Sequence, residues 1–211
     1  MKKLTQAVAA ASLISAGLMG AQVAQAEVSF SVAGTSNYVW RGVTQTNDAS
    51  ALQGSVGYSV GGLSLSVWQS SVVNDTETDY VGSYSVEAGP VALSAGFIAY
   101  DYNTDPADFT EVYLSASAMD VTLAYYKRVD DKDENKDTDD QGYVTLDYSY
   151  ALAEDLSLGL GLHKVVELAG ASKYDGIVSV TKTTPEFDFT LALTDKEDAE
   201  NEFVMTVSKG F

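Results

Sequence analysis

The chain of 211 residues has no cysteine, one histidine and only two arginines. The missing cysteine excludes a disulfide framework. Lys and Arg number 12 against 30 Asp and Glu, a formal net charge of -18. That balance leaves no basic patch and excludes nucleic acid as a partner. Past residue 26 no apolar run approaches the 18 or more residues of a membrane helix. Any role in a bilayer must therefore come from strands.

The first segment stands apart. Met1-Lys2-Lys3 is basic, Leu4 to Val23 is largely apolar and small, and Ala24-Gln25-Ala26 has small-x-small form. This order predicts a secretory signal peptide over 1–26, cleaved to leave one domain over 27–211. The Ala-x-Ala end favours cleavage over a retained membrane anchor. Losing Lys2 and Lys3 takes the formal charge from -18 to -20.

The remainder alternates with period two. Leu156 to Leu162 puts four leucines on one face and only Ser or Gly on the other, and Phe187 to Thr194 and Leu52 to Val60 repeat the pattern. Period two means strands with two unlike faces. Twelve strands are predicted, near 28–41, 51–60, 63–71, 78–88, 91–100, 109–119, 121–129, 142–152, 156–165, 173–182, 187–194 and 202–211. Most have the 9–11 residues of a tilted bilayer-crossing strand.

The connections alternate too. Gly61-Gly62, Gly89-Pro90, Asp120, Ala153 to Asp155 and Thr183 to Glu186 read as tight turns. Segments 42–50, 72–77, 101–108, 130–141, 166–172 and 195–201 read as longer loops. Short and long connections in turn are the mark of an antiparallel, up-and-down transmembrane β-barrel in an outer membrane, with an even strand count and both termini on the periplasmic side.

The faces agree. Val28, Phe30, Val32, Tyr38 and Trp40 share one parity, as do Leu63, Leu65 and Val67; the opposite parity is mostly Ser, Thr, Gly, Asn and Asp. Such a polar face would make a poor dry core for a soluble sandwich and suits an aqueous lumen. Lys127, Lys164, Lys182 and Lys209 sit on the apolar parity near strand ends, where they can snorkel. Trp40, Tyr58, Tyr80, Tyr150, Phe187 and Phe211 are placed like interfacial girdles. The chain closes on an alternating strand ending at Phe211, which resembles the signal read by the barrel-assembly machinery. Lipid and lipopolysaccharide are the other expected partners of what reads as a monomer.

The segment Ser36-Asn-Tyr-Val-Trp-Arg-Gly-Val-Thr-Gln45, followed by alternation through Leu52 to Val60 and Leu63 to Trp68, resembles the TorF-type porin family of Gram-negative bacteria. That family carries (S/T)-x-Y-x-(W/F)-R-G-(I/V)-(S/T)-Q near the mature N-terminus. Beyond Trp68 only the barrel pattern and terminal phenylalanine match. The resemblance implies an outer-membrane barrel and a channel, and implies no particular solute.

Candidate pore-lining residues follow from parity. Arg41 and Arg128 face the lumen near the loop end, and Glu202, Asp79 and Glu111 share that parity. Cross-strand pairs Arg41–Glu202 and Arg128–Glu111 are expected, either selecting solutes or bracing the wall. Lumen acids Asp79, Glu87, Glu111, Asp147, Asp175, Asp188 and Glu202 outnumber Arg41, Arg128 and Lys173, so passive diffusion of small solutes with weak cation preference is expected. Trp68 and Tyr126 also face inward, as stacking surfaces or as filling. His163 lies near Asp147, Ser149 and Ser179, but no motif sets a catalytic spacing, and catalysis is not expected. Asp130 to Asp140 holds seven acids and two lysines. It fails as a calcium loop, because Lys136 stands where glycine is required. It reads as a solvated loop, or as a segment folding inward to plug the lumen. Neither a cofactor nor a metal is expected. The alternative to a channel is a filled barrel with a structural or surface-interaction role.

Overall fold

A computed structural model describes residues 26–103, 108–131, 142–166 and 173–211. Among them run fourteen strands: β1 Glu27–Thr35, β2 Val39–Trp40, β3 Val43–Thr44, β4 Ala51–Val60, β5 Leu63–Val72, β6 Asp75–Ala88, β7 Val91–Tyr102, β8 Phe109–Ala118, β9 Val121–Asp131, β10 Gly142–Ala153, β11 Leu156–Val166, β12 Tyr174–Thr183, β13 Asp188–Lys196 and β14 Glu202–Gly210. Twelve of them, all but β2 and β3, form one closed antiparallel barrel in which sequence neighbours pair and β14 returns to β1.

Closure satisfies the backbone polar groups that an open edge would leave bare. The seam sets Thr35 opposite Thr206 and Ser31 opposite Gly210. Past β14, Phe211 exchanges backbone hydrogen bonds with Phe30 at 2.9 and 3.3 Å, so the terminal residue completes the ladder.

Alternation assigns the two surfaces as the sequence predicts. Leu52 is 73% exposed and Leu114 64%, and Val32, Leu65, Leu146 and Leu191 are also exposed on the outside. The outer lysines sit beside partners at the strand ends. Lys209 lies near the rings of Phe187 and Phe211 and donates to Glu186. Lys182 donates to Asp155 in the β10–β11 turn, which holds the Asp155 carboxyl below the usual carboxylate range. The inside is lined by hydroxyls that pair across strands, including Ser31 with Ser55, Ser85 with Ser94 and Ser117 with Thr122.

At one end the turns are tight. Gly61, Gly89 and Met119 open them with φ of 58°, 66° and 55°. At the other end, parts of the predicted loops 101–108, 130–141 and 166–172 lie outside the described residues, and one correction falls on 72–77, read as a long loop. Strands β5 and β6 extend to Val72 and Asp75, leaving only Val73 and Asn74 between them. The acidic segment expected as a loop or plug lies almost wholly outside the described residues.

The larger correction concerns the predicted strand 28–41. The wall strand ends at Thr35, and the next residues leave the wall and fold into the lumen as the β2–β3 hairpin. Tyr38 and Trp40, expected on the lipid face, are inside the barrel. The reason is local. Ser36 makes the last seam bonds with Met205, its N–H donating to the carbonyl at 2.8 Å and its Oγ accepting at 2.9 Å. Asn37 then turns the chain inward through its own carboxamide.

Candidate functional site: a hairpin constriction inside the barrel

Asn37 organises the hairpin. Its Nδ2 donates to Asp48 Oδ1 at 2.9 Å and to Glu202 Oε2 at 3.1 Å, and its Oδ1 accepts from Thr44 and Thr46 at 2.7 and 2.9 Å. All four hydrogen-bonding positions of one amide are thus used, which fixes the entry and exit of the loop together. Backbone bonds from Gln45 N–H to Tyr38 O and from Val73 N–H to Gln45 O continue the ladder and tie the hairpin to the β5–β6 turn.

At the tip, Arg41 and Gly42 both have positive φ, 49° and 71°. A two-residue turn of this kind suits Asn, Asp or Gly. Arginine there carries a left-handed penalty of about 1–2 kcal/mol. Gly42 is required by contact as well, since a Cβ would sit 2.7 Å from that of Lys196.

The hairpin reaches wall strands on more than one side of the lumen. Tyr38 packs edge-on against Trp68 with centroids 5.4 Å apart, and its hydroxyl donates to Glu77 at 3.0 Å. Val39 packs with Ala192, Val204 and Ile177 on the opposite wall. Trp40 meets Tyr100 and Phe109, which stack on each other at 4.2 Å. Arg41 Nη2 donates to Glu111 Oε2 at 2.6 Å. The guanidinium carbon lies 4.0 Å from the centre of the Tyr143 ring, 4.3 Å from Trp40 and 5.7 Å from Tyr126.

Arg41, Arg128, Glu111, Asp147, Glu202, Asp79, Trp68 and His163 were all expected inside; the partners differ from expectation. Arg41 binds Glu111 instead of Glu202, because the hairpin carries it off the wall and across the lumen. Glu202 accepts from Asn37 instead. Glu111, the expected partner of Arg128, takes Arg41 and the Tyr100 hydroxyl, while Arg128 lies over the Phe109 ring at 3.8 Å.

His163 Nδ1 meets Asp175 Oδ2 at 2.9 Å and Nε2 meets Asp147 Oδ1 at 3.0 Å. Both ring nitrogens are occupied by carboxylates, so neither is left to act on a serine. Tyr143 donates to the same Asp175 carboxylate at 2.9 Å. Asp79 has 0% exposure, and neither carboxylate oxygen has a hydrogen-bond partner. Its neighbour along the strand face, Glu77, is buried beside it. Among the described residues no cluster of three or more His, Cys, Asp or Glu is arranged for a metal.

Between the hairpin and the wall lies a cavity of about 70 Å³, bordered by Arg41, Tyr126, Tyr143, Asp147, His163 and the unpartnered Thr194 hydroxyl. Below the hairpin, toward the tight turns, the wall carries small half-exposed residues such as Ser66, Ser94, Ser115 and Ser149.

Sequence reasoning missed Tyr38, Trp40, Glu77 and Tyr143 as parts of this site. One signal was present: Tyr-Val-Trp and Val-Thr-Gln flank the two residues Arg41-Gly42, a hairpin spacing. The arginine at its first turn position hid it.

The architecture is a closed twelve-stranded barrel with an apolar exterior, a hydroxyl-lined interior and an internal constriction, the class of fold to which porins belong. The chain is a member of the family described as bacterial protein of unknown function (Gcw_chp), whose profile matches residues 21–210. No curated protein matches it in sequence. Its fold is similar to that of a KdgM porin, at 13% identity and a TM-score of 0.64, covering 87% of this chain and 99% of that one. A KdgM porin in complex with disordered oligogalacturonate is similar at 12% identity and a TM-score of 0.61, covering 87% and 98%. At such identities the likeness is one of fold.

Proposed function

We propose that this chain is an outer-membrane channel for passive diffusion of small solutes, narrowed by the Ser36–Ser50 hairpin. The observation that carries the reading is the two-sided barrel: an apolar outer surface around a hydroxyl-lined lumen that the hairpin constricts. The TorF-type resemblance of Ser36–Gln45 supports it. Residues 1–26 act as a cleaved signal peptide, the Phe211 strand is the assembly signal, and lipid and lipopolysaccharide surround a monomer. No reaction and no cofactor take part.

Arg41, Arg128, Glu111, Asp147, Glu202, Asp79, Trp68 and His163 face the lumen in this reading, with Asp79, Glu111, Trp68 and His163 covered while the hairpin is docked. The lumen remains acidic after Glu77 and Lys196 join the inward-facing charges. Cations and neutral solutes are therefore preferred. A polyanion such as the oligogalacturonate bound by one KdgM porin is not favoured here.

The occluding hairpin supports a second reading, a filled barrel with a structural or surface-interaction role. Liposome swelling with graded sugars, and reversal potentials in a salt gradient, separate the two. Passage of the smallest solutes with cation preference supports the channel. Absence of flux both in the wild type and after deletion of 38–45 supports the filled barrel, and anion preference would refute the charge argument.

A further inference from the structure

Arg41 sits in a cage made mostly by the wall. Tyr143 on β10, Tyr126 on β9 and Glu111 on β8 are barrel residues, and only Trp40 belongs to the hairpin. The wall part of the cage therefore does not depend on the hairpin being docked. Tyr100 donates to the same Glu111 oxygen at 3.2 Å and orients the carboxylate from behind. Nothing in the turn itself calls for arginine at φ 49°. What the position provides is a planar cation, delivered to aromatic faces and a carboxylate.

We propose that this cage is a binding site for the guanidinium or compact ammonium head of a small organic cation, and that Arg41 fills it as the chain's own stand-in ligand. Aromatic faces attract cations through the ring quadrupole, and a carboxylate matches the guanidinium fork. The adjoining cavity of about 70 Å³ has room for about two waters, the scale of a head group and not of an oligosaccharide. Its far side carries Asp147, Asp175 and the unpartnered Thr194 hydroxyl, which suits further hydrogen-bond donors on the solute. A cation that displaces Arg41 releases the hairpin tip, so binding and widening of the lumen are coupled.

The site deepens the channel reading and rests on it for the identity of the ligand as a passing solute; its occupancy is measured without transport. The only two tryptophans of the chain are Trp40 in the cage and Trp68 against Tyr38, so emission reports on this region. Arg41→Gly empties the cage and suits the left-handed turn. Folded protein in detergent, checked by heat-modifiable gel mobility, is titrated with methylguanidinium. A saturable emission change in Arg41→Gly is expected at a concentration about tenfold below that needed by the wild type, where the tethered Arg41 competes. Glu111→Gln in that background abolishes it, and uncharged methylurea has no effect. Equal responses in Arg41→Gly and wild type, an equal effect of methylurea, or survival of the response in Glu111→Gln would overturn the site. Should Arg41→Gly not fold, Arg41→Lys, which keeps the charge and loses the fork, must respond at lower concentration than wild type; an identical titration overturns the proposal. Liposome swelling without methylguanidinium binding removes this site and leaves the channel reading intact, whereas binding without swelling supports the site alone.

Discussion

Arg41 donates to Glu111 at 2.6 Å across the barrel, joining the tip of an inward hairpin to the wall strand β8. The residues are seventy positions apart in sequence. Their side chains are only 15% and 3% exposed. A buried pair of this kind contributes little net stability when intact, but losing one partner strands a charge at about 3–5 kcal/mol.

Glu111→Gln is therefore expected to undock the hairpin while the barrel persists. In planar bilayers the variant's single-channel conductance should exceed that of the wild type, with unchanged heat-modifiable gel mobility. Conductance at the wild-type level would mean that the pair does not hold the constriction closed.

Asn37→Ala removes four side-chain hydrogen bonds at the base of the same hairpin. At about 1 kcal/mol each, their loss lowers the local stability of the loop far more than that of the wall. Hydrogen exchange should accelerate at 37–46 and stay unchanged in β10–β12. Uniform acceleration would place Asn37 in the global fold.

Asp79 is fully buried with both carboxylate oxygens unpartnered, beside buried Glu77. Two buried carboxyls so placed repel each other unless a proton sits between them, whereas a carboxamide can donate to Glu77 without one, so Asp79→Asn is expected to stabilise the barrel by about 1–3 kcal/mol, the gain growing as pH rises. Urea unfolding in lipid vesicles at two pH values checks it, and a lowered midpoint at both would show that the Asp79 carboxyl is needed where it is.

Leu114 lies near the middle of β8 and is 64% exposed on the outer face. Leu114→Arg is expected to cost about 2–4 kcal/mol of folding stability in vesicles. Its neighbour Ser115 faces inward, so Ser115→Arg should cost less and shift the reversal potential toward anions. Equal costs for the two variants would contradict the assignment of faces.

Much of this was decided by the sequence. Alternation such as Leu156 to Leu162 admits only strands with one apolar face, and the Gly61-Gly62 and Gly89-Pro90 turns join antiparallel neighbours. Twelve wall strands, their inward and outward residues and the Phe211 seam follow from a period of two, because that period is local. The path of residues 36–50 was not local. Tyr38 and Trp40 keep the parity of Val28, Phe30 and Val32 and read as an extension of β1; only the assembled barrel offers Trp68, Glu77, Ala192, Tyr100 and Tyr143 as an interior for the Tyr38–Trp40 stretch. Asn37 diverts the chain because Asp48, Thr44, Thr46 and Glu202 converge on it after closure. The partner of Arg41 was decided the same way: charge and parity gave the sequence several carboxylates to choose from, and the geometry of the hairpin selected Glu111.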